Sequence, residues 1–470
     1  MAGGIKMNKN DILTGKIEDL TVEGEGISKI DGMPFFIKDT VIGDEVKFVV
    51  TKLKKNYGYG KVLEVLVPSK DRVTPACPIA KRCGGCQLQS MNYEAQLAFK
   101  HSKVRNNLRR LGGFSDELLD KVMEPALGCE LPFGYRNKAQ YPFGKDREGR
   151  TVCGFFAPRS HTIIPNTDCA LGASVNKVIL EKLLELMEKY GIAPYDEETG
   201  RGLVRHALIR TSSMTGEVMV CIVINGSSLP HSGEIVSALT EIPEISSISI
   251  NINTEKTNVI LGNETRTVYG DDFIVDEIRV YNTSNFTPTG ESLAFEISPA
   301  SFYQVNPTQT GKLYSLALDY AGLTGNETVW DLYCGIGTIS LFMARRAGKV
   351  YGVEVVPSAV ENARVNAKNN GVGNAEFRLG KAEDLVSDLP RPDVICVDPP
   401  RKGCDERCLS VIVDNAPEKI VYVSCDSATL ARDLRYLCDH GYALVRARAV
   451  DQFPQSVHVE TCAQLVRTDF

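Results

Sequence analysis

Residues 10–67 alternate short β-rich runs with glycine turns: Ile27-Ser-Lys-Ile, Pro34-Phe-Phe-Ile, Glu45-Val-Lys-Phe-Val-Val and Gly60-Lys-Val-Leu-Glu-Val. Such a series predicts a small closed barrel of the OB kind. Pro68, Pro75 and Pro78 bound a linker, after which residues 90–111 take up helical spacing, with Lys100, Lys103, Arg105, Arg109 and Arg110 near the end. From about 130 to 295 strand-like runs dominate, among them Val218-Met-Val-Cys-Ile-Val-Ile and Ile245-Ser-Ser-Ile-Ser-Ile-Asn-Ile. A helical stretch near 175–190 interrupts them, so this part reads as α+β. After Phe302-Tyr-Gln-Val-Asn helices and strands alternate strictly, which predicts a doubly wound α/β sheet. The expected domains are 8–67, 68–295 and 296–470, with helix 90–111 free to pack on the third. There is no internal repeat or low-complexity segment.

A chain of 470 residues is long enough for three such cores. It has no apolar run able to span a bilayer and no apolar leader, and Met7 is a second candidate start. Its fourteen cysteines therefore read as thiols, ligands or nucleophiles rather than disulfides, and the expected location is the cytoplasm. The net charge of −6 argues against a uniformly basic nucleic-acid binder. Its distribution changes that picture: residues 1–110 hold 19 Lys and Arg against 12 Asp and Glu, a net of +7, and the remainder is at −13. A basic front end on an acidic body suits local phosphate contact, although a lysine-rich solvated surface would look the same. Lys52, Lys54, Lys55, Tyr57 and Tyr59 mix cations with aromatics as single-strand binders do.

Thr328-Val-Trp-Asp-Leu-Tyr-Cys-Gly-Ile-Gly-Thr runs from a strand into a glycine-rich turn and an apolar helix. Gly335 and Gly337 let backbone approach a ligand closely. Glu354 closes the next strand, where an acid can hold the two hydroxyls of a ribose. The turn offers the Asp331 carboxylate in place of phosphate contacts, which suits a cationic, phosphate-free cofactor. S-adenosylmethionine (SAM) fits that description better than a nicotinamide. The Ala382-Glu-Asp loop is either an adenine contact or plain surface.

Val394-Ile-Cys-Val-Asp-Pro-Pro-Arg closes a further strand. Enzymes that methylate exocyclic amines carry a similar loop, usually with an aromatic residue where Arg401 stands here. Cys425, at the end of Ile-Val-Tyr-Val-Ser and just before a helix from Ser427 to Leu437, is placed to have its thiolate favoured by the helix N-terminus. Carbon 5 of uracil is a poor nucleophile. Thiolate addition at carbon 6 makes it an enolate able to accept a methyl group, and a base must then remove the carbon 5 proton. Glu460 is the candidate base, the alternative being an exposed strand residue. His458 is either its orienting partner or a structural histidine. A target ring inside a strand must first leave its stack. Gln304 suits a base edge or the amino-acid end of SAM, and Asp398 lies between the two expected sites.

Six motifs together resemble the RNA (uracil-5-)-methyltransferase family, in its iron–sulfur-containing bacterial 23S rRNA branch. They are Cys77-x5-Cys83-Gly-Gly-Cys86-x2-Gln89, Phe302-Tyr-Gln-Val-Asn306, Asp331-Leu-Tyr-Cys-Gly-Ile-Gly337, Asp398-Pro-Pro-Arg401, Ser424-Cys425 and Pro454…His458-Val-Glu460. The resemblance implies Cys425 as nucleophile, Glu460 as base, and Gln304, Tyr333, Glu354 and Asp398 as SAM-holding residues. It also implies that the barrel is a TRAM domain, an RNA-binding module. Two departures stand out: Asp426-Ser427 replaces the usual Asn-Pro, and Ser456 and Val457 stand near where a threonine and a second histidine are usual.

Cys77, Cys83 and Cys86 are three ligands in need of a fourth. The spacing gives neither the second close pair of a zinc ribbon nor the Cys-x3-Cys-x2-Cys of a radical SAM site. The resemblance supplies Cys169 as fourth ligand of a [4Fe–4S] cluster, with zinc or free thiols as alternatives. The expected partner is 23S rRNA, with tRNA as the alternative, no DNA and no membrane, and a monomer as the default. The rival from another class is a catalytically silent iron–sulfur RNA-binding protein, against which the presence of both Cys425 and Glu460 speaks.

Overall fold

The computed structural model describes residues 7–385 and 389–468. The reading of a second start therefore concerns residues 1–6, outside the described part. Six strands, Ile12–Lys16, Asp19–Leu20, Gly26–Ile30, Met33–Ile37, Glu45–Leu53 and Gly58–Val67, form one sheet in the order first, fifth, sixth, fourth, third, second. It curls around Ile17, Phe35, Ile37, Val46, Phe48 and Val50. Gly58 and Gly60 point inward because the Phe35 and Phe48 rings already fill the space a side chain would need there.

A seven-stranded sheet follows, ordered Ile163–Pro165, Thr151–Phe156, Lys138–Lys145, Val204–Thr211, Val218–Ile224, Ile245–Ile252, Glu264–Gly270. Only Val218–Ile224 and Ile245–Ile252 pair in parallel, across the helix Ser232–Leu239. The helix Val175–Lys189 buries its apolar stripe against this sheet.

The C-terminal sheet has eight strands, ordered Ala375–Leu379, Lys349–Glu354, Thr328–Leu332, Val394–Val397, Lys419–Ser424, Glu460–Arg467, Tyr442–Val450, Met123–Leu127. The first five are parallel, and Glu460–Arg467 lies antiparallel between two neighbours. Alternate residues of each strand feed two cores, as a sheet covered on both faces requires. Val329, Cys396 and Val421 pack with helices Pro307–Ala321 and Pro357–Asn369. Trp330, Ile395 and Tyr422 pack with Glu406–Asn415, Ser427–Asp439 and the far end of Tyr93–Arg110. Strand order reverses between Thr328–Leu332 and Val394–Val397, which is where such sheets open a crevice.

Two elements that the sequence pattern assigns to the central region pack with this C-terminal layer instead. They are the edge strand Met123–Leu127 and the hairpin Ile274–Tyr281/Pro288–Ile297, whose inward side chains join the first of the two cores. Among the described residues no helix is long and apolar enough to cross a membrane.

Candidate active site

A cleft of about 1010 Å³ opens at the C-terminal ends of the parallel strands, and Gln304, Tyr333, Glu354, Asp398, Cys425 and Glu460 all line it. Tyr333 takes a left-handed conformation (φ 70°) in the turn after Thr328–Leu332, a cost that fixed surroundings must offset. Its N–H and that of Cys334 bond to the Val353 carbonyl at 3.0 and 3.1 Å. Gly337 (φ 84°) is required twice over, since a side chain there would also press on Phe377. The Glu354 carboxylate is held by three backbone N–H groups, from Gly335 at 3.0 Å, Val355 at 2.8 Å and Val356 at 2.9 Å. A carboxylate has lone pairs left for a ligand after three such bonds. The Gln304 backbone carbonyl accepts from the Asn137 side-chain amide at 3.0 Å.

Asp331 requires a correction. It was expected to show its carboxylate to a cofactor, yet it is fully buried beneath the turn, with the Ser340 hydroxyl donating to it. Burial first, then the charges of Asp398 and Glu354, push its pKa up to about 7 against the pull of Ser340. The acids that line the cleft are Glu354, Glu383, Asp398, Asp405 and Glu460, so Glu383 of the Ala382-Glu-Asp loop reaches it.

Glu460 opens the strand Glu460–Arg467 and is 3 % exposed, which removes the exposed-strand alternative. Burial and the nearby Asp398 charge push it up to about 8, against the Arg401 guanidinium. Burial likewise pushes Asp398 up to about 7. Cys425 also departs from expectation. Its thiol is pushed up to about 11 by burial and by the Glu460 and Asp398 charges, with Arg401 opposing. The helix end does not rescue it, because Asp426 caps that helix, accepting from the Ala428 and Thr429 N–H groups at 2.8 and 3.2 Å. The unusual carboxylate thus points into the helix end and takes amides that could have stabilised a thiolate. His458 stands edge-on to Phe453, and burial with the Arg401, Lys103 and Lys100 charges lowers its pKa.

A sequence profile described as tRNA (Uracil-5-)-methyltransferase matches residues 244–468, and one described as TRAM domain matches 10–63. A relative from Halalkalibacterium halodurans, named an uncharacterized RNA methyltransferase, is 45 % identical over 98 % of each chain. Another of that description from Clostridium tetani is 44 % identical over 98 % of this chain and 97 % of its own. The chain belongs to the tRNA (uracil-5-)-methyltransferase family. Among solved structures it resembles the Pyrococcus abyssi tRNA (uracil-54, C5)-methyltransferase in complex with S-adenosyl-L-homocysteine. That likeness has a TM-score of 0.76 at 27 % identity and covers 97 % of this chain and 100 % of the other.

In this methyltransferase the segment 451–459, which leads into Glu460, is gripped from several sides, and the sequence reading missed the residues that do it. Lys100, wholly buried, is ion-paired with Asp451 and donates to the Phe453 carbonyl at 2.9 Å. Lys103 donates to the Val457 carbonyl at 2.9 Å and to Val22 of the TRAM barrel at 3.1 Å. Gln96 exchanges two hydrogen bonds with Gln455, and the Leu88 N–H, two residues past Cys86, donates to the Gln455 carbonyl at 3.0 Å. One signal was present: the buried face of the helix runs Gln96, Lys100, Val104, Leu108, so two polar residues continue an apolar i, i+4 row.

Cys77, Cys83, Cys86 and Cys169 come into one neighbourhood, where the charges of the other three raise the Cys86 thiol, already lifted by burial, to about 11. Among the described residues no three His, Cys, Asp or Glu side chains are grouped so as to hold a metal ion.

Proposed function

We propose that this chain, acting in the cytoplasm as a monomer, methylates carbon 5 of a uridine in 23S rRNA with SAM as donor, through a cysteine adduct. The observation that carries the reading is the convergence of Cys425, Glu460 and Asp398 on the cleft that Gln304, Tyr333 and Glu354 also line. Those last three with Asp398 would hold SAM, and a cation beside Asp398 would favour the charged form that burial disfavours. When bound, SAM supplies an electrophilic methyl group on a positively charged sulfur.

The chain's own residues do the rest. Cys425 loses its proton to solvent, and the thiolate bonds to carbon 6 while the electron pair of the ring double bond moves to carbon 5. After carbon 5 has taken the methyl group, the Glu460 carboxylate removes the proton from that carbon. The ring double bond re-forms and the carbon–sulfur bond breaks, returning the thiolate. Arg401 favours the charged forms of both groups. Burial of Glu460 excludes water that would otherwise level its basicity.

The test is transfer of label from tritiated SAM to unmodified rRNA or tRNA. Cys425→Ala should abolish transfer, and Glu460→Gln should accumulate an RNA-linked protein that migrates slowly in a denaturing gel. Wild-type turnover in Cys425→Ala would refute the covalent route. A second reading, tRNA as substrate, is favoured by the likeness to the Pyrococcus abyssi enzyme. Label in tRNA alone would select it.

We also propose that Cys77, Cys83, Cys86 and Cys169 hold a [4Fe–4S] cluster; the resemblance of their spacing supports the reading, with Gln89 accepting from the Cys77 N–H at 3.1 Å, while among the described residues the thiols as they stand are not grouped so as to hold a metal ion. Methyl transfer needs no electron, which leaves a structural or RNA-positioning role, and the Leu88 N–H donating to the Gln455 carbonyl supports the structural one. Iron and sulfide assays on anaerobically purified protein test it, and a colourless preparation containing zinc would overturn it.

A further inference from the structure

Gln304 reaches the cleft from a segment, 299–306, that belongs to no strand and meets a helix only at its far end, where Asn306 caps Pro307–Ala321. Backbone without a ladder takes its shape from whatever its polar groups meet. Here they meet one end of the seven-stranded sheet. Arg210 Nη2 donates to the Ser301 carbonyl and, at 3.3 Å, to the Pro299 carbonyl. The Asn137 side-chain amide donates to the Gln304 carbonyl and the Asn137 backbone N–H to the Val305 carbonyl, each at 3.0 Å. The Tyr303 hydroxyl donates at 3.3 Å to Asp276, which also accepts from the Ser212 hydroxyl at 2.9 Å. These groups are neighbours in the sheet: Arg210 pairs in register with Lys138, and the Thr211 N–H donates to the Asn137 carbonyl at 2.9 Å.

Folding alone gives little reason for this arrangement. Arg210 is 2 % exposed and stands directly across from Lys138, a like charge, and neither forms an ion pair among the described residues. Burial pushes Arg210 down to about 10, and burial with the Arg210 charge pushes Lys138 down to about 8. Arg210 Nε and Asn137 Oδ1 are buried with no partner. Orphaned polar atoms and an unpaired buried charge weaken a fold, and an apolar side chain of similar length would avoid them. What the guanidinium adds is a pair of directed bonds onto a turn whose residues Ser298, Ala300 and Ser301 line the cleft with Gln304.

We infer that Arg210 and Asn137 are positioning residues for methyl transfer: from the end of the seven-stranded sheet they hold the carbonyls of 299–305 so that Gln304 is presented to the cleft. Cofactor binding at the C-terminal sheet thereby depends on a different layer of the molecule. The inference rests on the reading of Gln304 as a SAM-holding residue and adds the groups that set it in place. Both act through Gln304, so removing either loses what Gln304 contributes and nothing beyond it.

The experiment measures SAM affinity by calorimetry and amide hydrogen exchange by mass spectrometry on the full chain. Arg210→Met removes the donors and keeps the bulk, and Asn137→Asp turns the donor facing the Gln304 carbonyl into an acceptor of the same shape. Each should weaken SAM binding by about 2- to 10-fold, the worth of one hydrogen bond, as Gln304→Ala does. Arg210→Lys, which keeps the charge and a donor, should recover part of the loss. Adding Gln304→Ala to either variant should weaken binding no further, because the residues act as one unit. Exchange should quicken in peptides spanning 298–306 and stay as in the wild type in strands Lys349–Glu354 and Lys419–Ser424. Losses that add in the double variants, or unchanged exchange over 298–306 in both Arg210→Met and Asn137→Asp, would overturn the inference. Wild-type SAM affinity in Gln304→Ala would sink the cofactor role of Gln304, and the exchange data would still decide whether Arg210 and Asn137 shape the segment.

Discussion

Replacing Lys100 by methionine tests whether the grip on the catalytic loop is real. Lys100 and Asp451 are both about 1 % exposed at their side chains, and the Tyr93 hydroxyl at 2.8 Å is the other donor to Asp451. Methionine keeps the length of the side chain, so packing is nearly preserved and the loss is the ammonium. Asp451 then keeps its charge in a dry site with one neutral donor. Breaking a buried pair in this way costs about 3–5 kcal/mol. Lys100→Met/Asp451→Asn removes the stranded charge while retaining an acceptor for Tyr93, and should recover about 2 kcal/mol of that loss. The single tryptophan of the chain, Trp330, is buried in the central strand of the C-terminal sheet, so its fluorescence during urea unfolding reports on the relevant domain. Well below the unfolding transition, displacement of Phe453 and His458 by even about 1 Å should lower kcat by about 10²-fold. A single variant costing under about 1 kcal/mol, or a double variant no better than the single, would refute the reasoning.

Three further outcomes follow from the site. Glu460 and Asp398 have folded pKa values of about 8 and about 7, above ordinary carboxylates. Such groups bind extra protons in the folded state, so they add stability that is complete below the unfolded value and is lost as pH rises through 7 to 8. The melting temperature should fall over that window, less steeply in Glu460→Gln, while kcat/KM for RNA rises as the base ionises; a flat profile in both would contradict the assignment. Arg401 favours the charged form of Glu460, so Arg401→Gln should move the rising limb of that rate profile to higher pH, and a shift to lower pH would count against it. Asp426→Ala should cost about 1 kcal/mol in urea unfolding and Asp426→Asn only a few tenths, since asparagine caps a helix as well as aspartate does. Equal losses would mean that the aspartate charge, not the cap, is what matters.

What the sequence disclosed was what is local. The glycine-rich turn, Glu354 at a strand end, Cys425 before a helix that begins at Ser427, and the short barrel strands are all fixed by neighbours in the chain, and the structure places them accordingly. Partnership was not legible. The hairpin from Ile274 lies in the run read as strands over 130–295 and Met123–Leu127 was not read as a strand, and nothing along the chain tells which layer an amphipathic element will join. Asp331 shows the same limit: its position at the turn was evident, and its burial depended on helices that close over it. The direction of the Cys425 shift was misjudged because its causes, burial and the Glu460 and Asp398 charges, are brought to the thiol by strands distant in sequence. Lys100 read as one of several cations near the end of its helix, and only the packing of that helix under a loop some 350 residues away makes it a buried one.

The fastening of segment 451–459 bears on how a substrate is chosen. A rim bolted to one helix, to the cysteine segment and to the barrel has little give, so it cannot open to accommodate a rigid duplex. The distortion needed to expose a uracil then falls on the nucleic acid, where it is smallest for nucleotides already loose. An inflexible enzyme of this kind sorts uridines by the pliancy of the RNA around them.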